Sequence, residues 1–361
     1  MAPHGKHPRT LVRSERPFNA GPPAELLRAS SVTPTELFFV RNHGDVPEVG
    51  RAEFRLRVEG EVERPLELAL DELGRRPRRE LVATIQCAGN RREELAAHRP
   101  IPNELPWGTE AISTARWSGV ALADVLAEAR PTARARHVEM IGLDWTERHG
   151  ERFRYGASIP LEKALASETL LATGMNGEAL APTHGAPLRA VVPGWIGARS
   201  VKWLDTLRLR ETPSENYFQS VAYRLFPASV GPDNVVWDEG AMLGEQAVQA
   251  IITAPAPSER VEAGRVRVEG VAYVGGPRTI ERVEVSGDDG ASWIRARLGE
   301  SLGPWAWRLW EAEVELAPGR RRIAARAWDS AGQTQPSEIA QVWNFKGYMN
   351  NAWHRLEIEA V

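Results

Sequence analysis

The chain contains one cysteine, Cys87, at the end of an apolar run in Gln86-Cys87-Ala88-Gly89-Asn90-Arg91-Arg92. A glycine and two guanidinium groups follow it, a setting in which a cysteine acts as thiolate, either as a nucleophile or as a metal ligand. A free cysteine is also often a small buried hydrophobe, so its neighbours have to decide between these roles. A nucleophile would need a histidine base, and the histidines at 43, 98, 137, 149, 184 and 354 all remain open on sequence grounds. A purely protein metal site is disfavoured, because there is no HExxH, no close histidine pair with a carboxylate and no second thiol. If Cys87 binds metal, the remaining ligands come from an organic carrier, and sulfur donors suit a soft or high-valent ion.

Two cationic groups accompany it. Arg41 in FFVRNHG, Arg91 and Arg92 after the cysteine, and Lys346 in WNFKG could converge with Trp107 and Tyr223 on a pocket for a small oxyanion. Guanidinium groups bind such anions through paired hydrogen bonds, and the phenol and indole add neutral donors. The segment THGAPLRAVVPGWIGARSVKW gathers His184, Arg189, Arg199, Ser200 and Lys202, a set able to cradle a phosphate. Neither GxxxxGK[ST] nor GxGxxG occurs, so neither a P-loop nor a dinucleotide fold is expected.

These residues must be carried by elements whose patterns change along the chain. EFRLRVEGEV, from Glu53, alternates as a strand, and RPLELALDEL has helical spacing. ELVATIQCAGN reads as a strand entering a loop, SGVALADVLAEAR as an amphipathic helix capped by Ser118, and HVEMIGLDW as a strand. LEKALASETLLA reads as a helix, and PLRAVVPGWIGARSVKWLDTLRLRE as two strands around a glycine-bearing bend. The expectation is a mixed α+β domain over residues 18–248. Beyond it, RVRVEGVAYV, RVEVSGDDGASWIRARL, WRLWEAEVEL and RRIAARAWDSAG alternate strictly, with Asp289-Gly290 as a hairpin turn. Residues 249–361 therefore read as an all-β, immunoglobulin-like sandwich.

Composition bounds the rest. With 361 residues, 42% of them hydrophobic, the chain can bury the cores of two or three domains. Its 45 basic and 48 acidic side chains give a formal charge of -3, which suggests neither a nucleic-acid coat nor a membrane-surface role. One cysteine excludes an internal disulfide framework, a four-thiolate cluster and CxxCH haem attachment. The basic, proline-rich start lacks a secretory apolar core, and no uncharged run is long enough to span a bilayer. Residues 1–17 are read as a flexible tail on a cytoplasmic protein, with a periplasmic place open if an export signal is missing from this sequence.

Taken together, RNHG, QCAGNRR, AISTARWSGV, YGASIPL, MNGEAL, HGAPLR, VVPGWIGARSVKWLD and the terminal VWN and NNAWHR resemble the sulfite oxidase family of molybdenum enzymes, in order from about Phe18 to Leu356. The resemblance implies an α+β molybdopterin domain followed by an immunoglobulin-like dimerisation domain, molybdenum and molybdopterin as cofactors, and a homodimer. By the same resemblance Cys87 is the metal ligand, and Arg41, Arg92, Trp107, Tyr223 and Lys346 form the catalytic oxyanion pocket. Arg41, Asn42, His43, Cys87, Asp144, His184, Arg189, Ser200 and Lys202 hold the cofactor. Two positions depart from the animal and plant enzymes: Lys346 replaces an arginine, and Ala222 replaces an aspartate beside Tyr223. The implied activity is oxidation of sulfite to sulfate, with reduction of another oxyanion such as nitrate as the alternative. With no cytochrome b5-like segment and no haem, electrons are expected to pass to an external acceptor, a cytochrome or oxygen. A protein that binds the cofactor without catalysis, acting through its C-terminal sandwich, is the reading from another class.

Overall fold

The computed structural model describes residues 3–361, and its period-two segments form the sheets expected of them. In the first part of the chain, Arg78–Gln86, Ile112–Ala121, Leu170–Met175 and Glu178–Ala179 lie side by side as an antiparallel sheet, with Arg189–Val191 also on Leu170–Met175. A second sheet runs in the order Leu66–Ala69, Arg55–Gly60, Leu204–Arg210, His137–Arg148, Glu151–Pro160. Its one parallel pair is Leu204–Arg210 beside Arg55–Gly60.

The helices are short. Leu122–Ala129 buries Leu122, Val125, Leu126 and Ala129, the i, i+3, i+4, i+7 stripe of a helix with one apolar face. That stripe packs with Leu56, Val58, Val138, Ile159 and Leu207 in the largest core. Each fully buried aliphatic side chain there contributes on the order of 1.5–3 kcal/mol.

Three local expectations are corrected. Leu66–Ala69 is a strand, with Leu66 and Leu68 opposite Val58 and Leu56, and only Leu70–Leu73 is helical. Cross-strand burial of alternate leucines outweighs helical spacing in so short a run. Ser118 lies inside the Ile112–Ala121 strand and accepts a hydrogen bond from Arg78 at 2.8 Å, while the helix starts after Ala121 without a side-chain cap. The helix at Leu161–Leu165 stops before the Leu170–Met175 strand.

The expected tail is also corrected over residues 3–17, since Met1 and Ala2 lie outside the described residues. Leu11–Ser14 pairs antiparallel with Asn19–Gly21, and Lys6 is 4% exposed with its ammonium bonded to the Thr35 and Phe38 carbonyls at 2.8 Å each. Those bonds anchor the segment.

The last third forms two sheets face to face. One runs Gln249–Ala254, Gly264–Tyr273, Arg308–Leu316, Arg297–Leu298; the other runs Arg260–Val261, His354–Ala360, Gly319–Asp329, Ile280–Ser286, Ile294–Arg295. Val268, Ala272, Val283, Val285, Val314 and Ile323 fill the space between them. Asp289 and Gly290 both adopt positive φ, at 57° and 99°, in the turn joining Ile280–Ser286 to Ile294–Arg295. Leu27, Ile112, Ile251, Val271, Tyr273 and Trp307 form a separate cluster that ties this sandwich to the first part of the chain.

Candidate functional site

Cys87 follows directly on the Arg78–Gln86 strand, where its amide donates to the Ala111 carbonyl at 2.9 Å and its carbonyl accepts from Asn90 at 3.0 Å. The turn so made brings the Gly89 amide to 3.4 Å from the Cys87 sulfur. Arg91 has φ 63°, which sends the two arginines to different places. Arg91 turns away and pairs with both Glu94 oxygens at 2.6 Å, so it takes no part in the site. Arg92 lies between Gly89 and Gly347: a Cβ on either glycine would come within 2.4 and 2.6 Å of its side chain. Only glycine permits that approach from both sides.

A cavity opens beside the sulfur. Its wall carries Arg41, Asn42, His43, Cys87, Asp144, His184, Arg189, Ser200 and Lys202, all nine of the residues expected to hold a cofactor, together with Tyr223. Widely separated elements deliver them. The Asn19 side chain accepts from the Asn42 amide at 2.8 Å and from Arg41 at 3.2 Å, fixing that loop to the Asn19–Gly21 strand. The Arg189 guanidinium donates to the carbonyls of His184 at 3.0 Å and Ser200 at 3.1 Å, binding one side of the cavity together.

The electrostatics ask for an anion. Lys6, Arg189 and Lys202 donate to carbonyls, an amide oxygen and a histidine nitrogen, and none of them to a carboxylate. Burial pushes the Lys6 ammonium down to about 7, and pushes Lys202 well below the ordinary lysine value, with Arg189 the next cause. Buried cations without counter-ions are costly, so a phosphate among them would be strongly held. Asp144 is the one carboxylate on the wall, and burial raises it to about 6 against the pull of Lys202. Its Oδ1 and the Asn42 Nδ2 are buried without hydrogen-bond partners, leaving an acceptor and a donor for a heterocycle. A cysteine sulfur, unpartnered amide and carboxyl groups and a cationic pocket are the donor set that a molybdenum-bearing pterin phosphate requires, and the residues fit it.

A wider cavity reaches the surface and shares Arg41, His43 and Tyr223 with the inner one. Lys346, Glu104 and Arg148 also line it. Where the cavities meet, the Tyr223 hydroxyl lies 2.7 Å from His43 Nε2. Burial, then Arg41, Arg148 and Lys202, hold His43 well below the usual histidine value, so it is neutral. Burial first, with Cys87 and Glu104 adding, pushes Tyr223 up to about 12, so the phenol keeps its proton.

The expected convergence of oxyanion residues is thus partly seen. Arg41, Tyr223 and Lys346 share the outer cavity, whereas Arg92 and Trp107 line neither. Arg92 is held behind the wall by the carbonyls of Leu105 at 2.8 Å and Gly347 at 3.1 Å. Trp107 is fully buried against Cys87 in an apolar cluster, with its indole N–H unpartnered. Arg199, grouped with the phosphate cradle by sequence, bonds instead to the Leu243 carbonyl at 2.9 Å. Lys6 was missed: its ammonium is 2.7 Å from His184 Nε2, a contact across 178 residues that no local pattern signals.

Residues 43–218 match the family model of the oxidoreductase molybdopterin binding domain, and residues 241–361 that of the Mo-co oxidoreductase dimerisation domain. The chain is 43% identical to human mitochondrial sulfite oxidase over 364 residues, covering 98% of this chain and 66% of the human protein. It therefore spans just under two thirds of that relative's length. Sulfite oxidase from Arabidopsis thaliana is 38% identical over 373 residues, with 97% of this chain and 94% of the plant protein covered. Among solved structures, the sulfane dehydrogenase SoxCD from Paracoccus pantotrophus superposes with a TM-score of 0.81 at 27% identity, over 97% of this chain and 89% of that one.

Proposed function

The chain belongs to the sulfite oxidase family of molybdopterin oxidoreductases, and on that premise we propose that it oxidises sulfite to sulfate. The balance is sulfite plus water to sulfate, two protons and two electrons, the electrons passing to an external acceptor such as a cytochrome or oxygen. The observation that carries this reading is the shared wall: Arg41, His43 and Tyr223 face both the cavity that holds Cys87 and the outer cavity that holds Lys346.

Cys87 would ligate molybdenum, while His184, Arg189, Ser200, Lys202 and Asn42 would hold the pterin and its phosphate. Bound, this group supplies two-electron oxygen-atom exchange. The chain's own residues do the rest. Arg41 and Lys346 draw the oxyanion inward and hold it by charge-assisted hydrogen bonds. Tyr223, kept protonated, offers its hydroxyl as a neutral donor, and neutral His43 fixes that hydroxyl's direction without adding charge. Arg92 acts from behind the wall by shaping the Lys346-Gly347 turn through its bonds to both carbonyls, at 3.2 and 3.1 Å.

For the rest of the chain, we place the catalytic domain at residues 18–248 and read 249–361 as an immunoglobulin-like sandwich through which two copies pair. Two face-to-face sheets with one shared core support that reading. Among the described residues no helix is long and apolar enough to cross a membrane.

The deciding experiment is metal and pterin analysis of protein made with an intact cofactor pathway, followed by turnover of sulfite, nitrate and a sulfoxide with several acceptors. One molybdenum per chain and preferential turnover of sulfite are expected. Faster reduction of nitrate would replace the proposed substrate, and protein devoid of both metal and pterin would favour a non-catalytic interaction role.

A further inference from the structure

The outer cavity is lined by Arg41, Arg148 and Lys346, and it also contains a carboxylate, Glu104. Glu104 is in ion-pair contact with Lys346 through one oxygen and lies 3.6 Å from Arg92 through the other. All three side chains are shielded, at 18% exposure for Glu104, 17% for Lys346 and 5% for Arg92. A carboxylate on the cavity wall already paired with Lys346 engages the cation an incoming oxyanion would use, and carries charge of the same sign. We propose that Glu104 is a built-in competitor of the substrate, a specificity-determining residue that sets how tightly the outer cavity holds an oxyanion. The inference rests on the sulfite-oxidising reading of the same site.

The physical argument turns on what an entering anion does to the pair. Lys346 is a compact ammonium on a flexible stem, with three donors and one strong partner already engaged. A dianion entering beside Glu104 either takes Lys346 from it, leaving a carboxylate facing like charge at low exposure, or binds without Lys346. Both routes weaken binding compared with a cavity in which the ammonium is unpaired. Arg41 feels Glu104 only through space, since its guanidinium bonds to the Asn42 carbonyl and the Asn19 side chain and to no carboxylate. Glu104 therefore tunes affinity while Arg41 and Tyr223 keep the reacting geometry.

The test is Glu104→Gln in the cofactor-loaded protein, measured in two ways: sulfite kinetics, and calorimetric binding of inorganic sulfate. Removing the charge while keeping the shape should lower the sulfite KM and the sulfate Kd together, each by about tenfold, with kcat moving much less. A purely structural role would lower the melting temperature and leave both constants where they were. If Glu104→Gln does not fold, Glu104→Ala at this partly exposed position serves the same purpose. Unchanged or weakened sulfate binding in a folded variant overturns the proposal, even where the wild type oxidises sulfite well. Tighter sulfate binding in a protein that turns over no sulfite, wild type or variant, upholds the competitor and removes the proposed substrate.

Discussion

The Tyr223 hydroxyl and His43 Nε2 stand 2.7 Å apart at the junction of the two cavities, one pushed up to about 12 and the other held well below 6.5. Both are therefore neutral across the physiological range, and the hydrogen bond between them serves direction rather than proton release. Tyr223→Phe should retain molybdenum and pterin but lower kcat/KM for sulfite about 10- to 100-fold, the cost of one hydrogen bond to a charged group. A change within twofold would remove Tyr223 from contact with substrate.

Cys87 packs with Ile85 and Trp107 and is 6% exposed, so a structural and a ligating role predict different losses. Cys87→Ser and Cys87→Ala should give folded proteins that bind pterin through the cationic pocket and show no turnover. Circular dichroism, pterin fluorescence and metal content separate the cases. Full activity in either variant would exclude Cys87 as the metal ligand.

The depressed ammonium groups give a proton-coupled signature of cofactor binding. Lys6, lowered to about 7, is largely neutral at pH 8 in the empty pocket, and burial followed by Arg189 also holds Lys202 well below the ordinary lysine value. A phosphate raises them, so binding takes up protons and weakens as pH rises through that interval. Calorimetry at pH 8 in buffers of different ionisation enthalpy should register the uptake. Lys6→Met should reduce the uptake and the pterin content of purified protein, and unaltered values for both would place Lys6 outside the phosphate site.

Three buried histidines set the acid limb of stability. His43 and His184 lie well below 6.5 and His354 is lowered to about 4, chiefly by burial. His354 Nδ1 accepts from the Ile252 amide at 3.0 Å, a bond that protonation destroys. Below 6.5 the unfolded chain gains protons that the folded chain refuses, so stability falls as pH drops from about 6.5 towards 4, by up to roughly 1.4 kcal/mol per pH unit for each histidine. Asp144, raised to about 6, runs the opposite way and offsets part of the slope. Urea midpoints of cofactor-free protein should be lower at pH 5.5 than at 7.5. His354→Asn, whose Oδ1 can keep the Ile252 bond, should flatten the difference.

How much of this was readable in advance depended on whether a pattern was local. The antiparallel strands of the last third alternate residue by residue, as Val266, Val268 and Ala272 show, and their period announced them. Leu66–Ala69 was too short for period to separate strand from helix, and its partner Arg55–Gly60 decided. The resemblance assigns nine residues to the cofactor, and all nine line one cavity. It could not separate Arg91 from Arg92, adjacent guanidiniums sent apart by one positive φ, nor reveal Lys6 or Glu104, whose roles exist only through partners 178 and 242 residues away.

Lys346 is the position where resemblance alone predicts that restoring arginine will tighten sulfite. Its pairing with Glu104 changes that expectation. A guanidinium introduced by Lys346→Arg meets a carboxylate whose planar geometry it matches with two hydrogen bonds, so much of the added strength goes to Glu104. The single variant should lower the sulfite KM by no more than about threefold. With Glu104→Gln the fork is released to the oxyanion, and the double variant should gain more than the product of the two single effects, a positive coupling that a double-mutant cycle measures directly. Strict multiplicativity would mean that Lys346 and Glu104 act on the substrate independently, despite the contact between them.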